Sequence, residues 1–127
     1  MLERYVVVDL EMTGLNPRRD RILEIGAARV EHGEVTARYE TFVNPGVCIP
    51  EKVRELTGIT DEMVKDAPRI SEILPDFIVF CADDIFVGHN VIFDYSFLKQ
   101  VAINEKLSFE RQAVDTLKLA RKFLPEL

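Results

Sequence analysis

Little in this chain favours export, a membrane or a general affinity for nucleic acid. Cysteine occurs only at Cys48 and Cys81, too far apart for a metal-ligand pair. The N-terminus lacks the basic, apolar and small-residue succession of a signal peptide, and no apolar run reaches the roughly 20 residues needed to span a bilayer. These absences predict a reducing, cytoplasmic setting with free thiols and no membrane partner. Positive charge is also scarce. Sixteen Lys and Arg against 22 Asp and Glu leave a formal charge of −6, so no overall field draws the chain to a phosphate backbone. A metal cluster inverts the field around a group of acids, so any nucleic-acid binding is expected to be local and metal-dependent. Internal repeats, linkers and low-complexity segments are absent.

What is present is enough for one folded domain. A chain of 127 residues buries a real core but is too short for two ordinary domains. Its 47% hydrophobic and 30% charged residues are a globular rather than a disordered composition.

The rest is arranged around Tyr5 to Gly14, YVVVDLEMTG. Strand alternation places Val7, Asp9 and Glu11 on one face and Val6, Val8, Leu10 and Met12 on the other. Two carboxylates held side by side in an apolar setting repel, so one takes a proton or both share a cation. All-oxygen donors favour Mg²⁺ or Mn²⁺ over zinc. The strand runs into Thr13 and Gly14, a turn where backbone can approach a substrate closely. A solvated edge pair is the plain alternative, and context must decide between them.

Farther on, LNPRRDR carries Arg18, Arg19 and Arg21, which fit a solvated loop or a phosphate contact near the site. RILEIGAARV and VTARYETFV flank the hairpin punctuation His32-Gly33, so the first three strands are expected to form an antiparallel meander, with His32 on the surface of a turn. A short helix is predicted from Pro50 to Leu56, stopped by Gly58, and a second from Pro68 to about Phe80, kinked or divided by Pro75. IFVGHN reads as a buried strand ending in a corner, followed by a helix with Asp94 in its first turn. The tail AVDTLKLARKFLPEL reads as a fifth strand ending near Asp115, a cap or first-turn acid, and then a helix with Leu117, Ala120, Phe123 and Leu124 inward.

Four segments taken together, VVVDLEMTGL, ELTGIT, VGHNVIFDYSFL and VDTLKLAR, resemble the DEDDh family of 3′-to-5′ exonucleases, which includes the proofreading exonucleases of bacterial DNA polymerase III. The resemblance spans nearly the whole chain. It implies an α/β, ribonuclease H-like fold, a mixed five-stranded sheet flanked by helices with the first strand central, and two-metal hydrolysis with Mg²⁺ or Mn²⁺. Asp9 and Glu11 match the first motif, where the Asp bridges both ions and the Glu binds one. Asp94 matches the second-motif Asp, which supports the ions partly through water. Thr13, Gly14, Leu15, Leu56, Gly58 and Ile59 match the pocket for the 3′-terminal nucleotide, and Asn90 and Phe93 match positions lining or buttressing it. Apolar Leu15, Leu56 and Ile59 suit a clamp on an unstacked base. The implied partners are a single-stranded or frayed 3′ end of DNA, with RNA not ruled out, and a DNA polymerase subunit.

The resemblance departs from the pattern at its third motif. There the family draws a histidine base and a fourth Asp from a helix beyond the DTLKLAR segment, and neither has a counterpart up to Leu127. His89 belongs to the second motif. The expectation is therefore one exonuclease-like domain over 1–127, C-terminally truncated relative to the family, lacking that helix and weak or inactive as it stands. A non-catalytic module binding 3′ ends or a polymerase is the alternative. A nucleotide-binding α/β protein fits poorly, because no glycine-rich phosphate loop follows the first strand.

Overall fold

The computed structural model describes residues 3–116. Three antiparallel strands come first: β1 (Arg4–Met12), β2 (Ile22–Glu31) and β3 (Glu34–Phe42). His32 and Gly33 turn the second hairpin with φ of 52° and 82°, the positive values a two-residue turn between twisted strands requires. The helices α1 (Glu51–Thr57), α2 (Asp61–Val64) and α3 (Ile70–Cys81) follow, then β4 (Ile85–Gly88), α4 (Val91–Asn104) and β5 (Ala113–Asp115). The sheet order is β3-β2-β1-β4-β5, with β4 parallel to β1 and β5 parallel to β4, so β1 is central and the sheet mixed, as expected. The expected helix after β5 lies outside the described residues.

Alternation along β1 sorts the layers. Val6, Val8 and Leu10 are buried with Phe77 of α3, Phe86 of β4 and Phe97 of α4 in the main core, which places both long helices on one face. At about 25 cal/mol per Å² of apolar surface removed from water, that seam is the main source of stability. Val7 and Asp9 point to the other face and remain exposed.

The β1–β2 register shifts between Glu11 and Met12. Such a bulge adds a residue to one strand, and accordingly the adjacent Ile22 and Leu23 are both buried. Ile22 enters the main core, while Leu23 packs with Ile49, Ile59 and Val64 in a second cluster. This second cluster pins the α1–α2 segment beside the end of β1. The short helix α2 has no strong periodic signal in the sequence; Thr60 caps it, accepting from the Met63 amide at 3.3 Å.

Pro75 does not divide α3, which runs unbroken from Ile70 to Cys81. The ring removes the amide that would bond the Ser71 carbonyl. Both residues are exposed, so water can satisfy that carbonyl, while buried Leu74, Phe77 and Cys81 hold the helix to the sheet. Tertiary packing overrides the local breaker.

Candidate active site

Asp9 and Glu11 stand two residues apart on the uncovered face of β1. Asp9 is exposed and Glu11 half-buried. Partial burial, then the charges of Asp9 and Glu24, push the Glu11 carboxyl above its ordinary range. Glu24 was not singled out in the sequence, yet the β1–β2 ladder pairs it directly with Glu11. The signal was hidden because the nine-residue connection from Thr13 to Arg21 leaves the register of β1 against β2 unfixed.

Asp94 reaches the same end of the sheet from α4. The β1–β4 pairing ends at Val7 and Val87, so β1 loses its parallel neighbour just before its acids. The Leu10 amide on that open edge donates to Asp94 Oδ2 at 3.4 Å. Asp94 is only 6% exposed. Burial raises its carboxyl to about 6, Asp9 and Glu11 push in the same direction, and the Leu10 hydrogen bond opposes them. Asp94 thus lies within electrostatic reach of both Asp9 and Glu11.

Their donor chemistry suits a hard divalent cation, and their repulsion is what such an ion would relieve. Among the described residues, however, no three His, Cys, Asp or Glu side chains are already grouped as a metal site. The acids share an end of the sheet without a preassembled cage.

The corner before α4 is held from the far edge of the sheet. Asn90 has a left-handed backbone, φ 59°, and its amide donates to Asp115 Oδ2 at 2.7 Å. Asp115, read from sequence as a cap or first-turn acid of a helix outside the described residues, fastens the turn that aims Asp94.

The remaining candidates divide between open surface and support. Leu15 and Leu56 are 80% and 85% exposed, so both present open apolar side chains. Ile59 is 3% exposed and packed in the second cluster, so it buttresses α1 from beneath and offers no open contact. Gly58 ends α1 in the left-handed region at φ 77°, its amide bonding the Arg54 carbonyl. Thr13 is buried. Its amide donates to the Arg21 carbonyl at 2.8 Å and its Oγ1 accepts from the Arg21 amide at 2.9 Å, closing the loop after β1. At Gly14 a Cβ would run into the Asp20 carboxylate, so the bare glycine gives that side chain room to fold back onto the loop. Asn90 is exposed, and half-buried Phe93 meets Phe97 edge to face at 5.4 Å.

The two histidines stand at opposite ends of the sheet, with His89 two residues beyond Val87, the β4 partner of Val7, and so at the end that carries the acids. His32 turns the β2–β3 hairpin at the opposite end, and His89 is exposed in the corner after β4.

Comparison with known proteins agrees with this architecture. The chain is 42% identical over 127 residues to the PolC-type DNA polymerase III of Bacillus subtilis, covering 98% of this chain and 9% of that one. It is 41% identical over 124 residues to the DNA polymerase III subunit epsilon of Aquifex aeolicus, covering 97% of this chain and 61% of the relative. The chain thus spans about a tenth of the polymerase chains it matches and under two thirds of the epsilon subunit. Exonuclease X, solved in complex with 5′ overhanging duplex DNA, superposes with a TM-score of 0.72 at 26% identity, over 97% of this chain and 66% of that one. E. coli exonuclease I, solved with an oligonucleotide, superposes at 0.81 and 16% identity over 98% of this chain and 31% of its own, which shows the shared fold. The profile of the RNase_T family, described as Exonuclease, matches residues 6–127, and the chain belongs to that family.

Proposed function

We propose that this chain forms the body of a metal-dependent 3′-to-5′ exonuclease that releases nucleotides from the 3′ ends of DNA in a proofreading role, with a DNA polymerase subunit as its partner. The observation that carries the reading is buried Asp94, hydrogen-bonded to the β1 backbone between Asp9 and Glu11 and charged against both. Asp9 and Glu11 would hold Mg²⁺ or Mn²⁺ directly, with Asp94 completing the oxygen set. When bound, such ions polarise the phosphodiester and activate water for in-line displacement. The chain's own residues arrange this chemistry. The Leu10 amide orients Asp94, the Asp115–Asn90 bond fixes the corner, and exposed Leu15 and Leu56 offer apolar faces to an unstacked terminal base.

A second reading is a non-catalytic module that binds 3′ ends. It is favoured by the position of His32, which the β2–β3 turn holds at the opposite end of the sheet from the acids. The loss of a general base typically costs about 10²- to 10⁴-fold in rate. The deciding assay uses 3′-labelled single-stranded DNA with Mn²⁺, comparing the 127-residue chain, a chain extended through a His- and Asp-bearing helix, and Asp9→Ala in each. The expected result is little hydrolysis by the shorter chain, trimming by the longer one, and none with Asp9→Ala. Equal, Asp9-dependent activity at both lengths would place the base within these residues and redraw the site.

A further inference from the structure

A groove of about 350 Å³ lies between the Pro17–Ile22 loop, Asn44–Pro45, the first turn of α3 and the last turn of α4. None of the candidate carboxylates lines it. It gathers Arg18, Arg19, Arg21 and Arg69 against only Asp20 and Glu105, in a chain whose formal charge is −6. We propose that this groove binds the phosphate backbone of the single strand whose 3′ end reaches the carboxylates. The inference rests on the exonuclease reading and adds to it a place for the strand away from the reacting end.

The arginines are not neutralised locally. Among the described residues Arg18, Arg21 and Arg69 form no ion pair, and Arg19 meets Asp20 only at 3.9 Å. Asp20 is already engaged, accepting from the Asn16 amide at 2.9 Å. Arg21 Nη1 donates to the Pro45 carbonyl at 3.3 Å, which stretches its guanidinium from one wall to the other. The Arg69 side chain lies over Gly46, in space a Cβ would fill. Arg69 is also the residue before α3, which has no side-chain cap, so the first amides of a 12-residue helix add partial positive charge where Ile70 and Ser71 line the groove. Guanidinium groups recognise phosphate oxygens by paired hydrogen bonds, and four of them around one groove exceed what a single small anion needs.

Connectivity ties the groove to the proposed terminal pocket on both sides. The Pro17–Arg21 loop begins two residues after Leu15 and is locked to Thr13 by both Arg21 backbone bonds. On the other side, the segment from Gly46 to Pro50 connects Asn44 and Pro45 to α1, which carries Leu56. On this reading, a strand whose last base meets Leu15 would run back over the Pro17–Arg21 loop and its arginines. Contacts of this kind position a strand without reading its sequence.

The test is fluorescence anisotropy with 5′-labelled oligothymidylates, a trinucleotide and a dodecanucleotide, in Ca²⁺ to avoid hydrolysis. The longer strand is expected to bind more tightly. Arg18→Ala and Arg69→Ala should each weaken it about three- to tenfold and flatten the plot of log affinity against log salt by about 0.7, while leaving the trinucleotide unchanged. Arg69→Lys should restore most of the loss, and Arg38→Ala, on exposed β3, should change nothing. If the dodecanucleotide binds all variants equally with the same salt slope, the groove proposal is wrong; the exonuclease reading survives that result if Asp9→Ala still weakens the trinucleotide. Displacement of the strand by inorganic phosphate at equal phosphate concentration would make this a small-anion site and also overturn it. No binding of either length overturns both readings.

Discussion

Asp94 is the residue at which burial and charge pull hardest against each other. Its carboxyl ionises at about 6 when folded and near 3.8 when unfolded, so between those values the folded chain holds the extra proton. Stability therefore falls as pH rises from about 3.8 to about 6 and levels off above, the reverse of a salt-bridged acid. Asp94→Asn keeps an acceptor for the Leu10 amide and removes the charge. Urea melts from pH 4 to 8 should show the slope abolished and stability at pH 7 raised by about 1–2 kcal/mol, allowing for solvent screening. On the proposed metal site Mn²⁺ would compete with the proton for the same oxygens, so the rise in Tm on adding it should be larger at pH 8 than at pH 5 and absent in Asp9→Ala. At this scale Asp9, Glu11 and Asp94 were legible because alternation and helix position fix where they point. Glu24 was not, since its place beside Glu11 depends on a register that no short turn sets.

At the level of the element, local signals marked most boundaries. The hairpin at His32-Gly33, the Gly58 stop and the helix carrying Asp94 all stand where turn chemistry and periodicity place them. Helix α3 shows where such reading ends, because burial of Leu74, Phe77 and Cys81 outweighs Pro75. Pro75→Ala restores an amide donor to the Ser71 carbonyl, and is expected to raise stability by about 1–2 kcal/mol after the entropy gained by the unfolded chain, measured by thermal melting. Gly58→Ala should cost about 1 kcal/mol, because nothing crowds the position and only the left-handed backbone, φ 77°, resists a side chain.

Across the whole molecule, β1 carries acids at one end and an ion-pair network at the other. Arg4 bonds Asp84 at 2.7 Å and Glu31 at 2.8 Å, and Arg29 approaches Asp84 at 3.6 Å while lying 4.9 Å over the Phe80 ring. The network joins the first hairpin to the turn between α3 and β4. Asp84 is the hub, its side chain 9% exposed, so Asp84→Ala leaves two guanidinium groups facing each other. The expected loss is about 1–2 kcal/mol in urea melts, reduced in high salt because Arg4 is half-exposed. Sequence gave no access to this network, since its members are joined only once the sheet order is known.

The bond from the Asn90 amide to Asp115 also bears on how the chain emerges during synthesis. Asp9, Glu11 and Asp94 are all translated before β5, and a nascent chain ending at Asn104 already has four strands' worth of sequence and both long helices. It lacks the edge that fastens the corner and pairs β4 on its open side. Until residue 115 clears the ribosome, the turn that aims Asp94 lacks its Asp115 acceptor, so that corner takes its final form after most of the domain has folded.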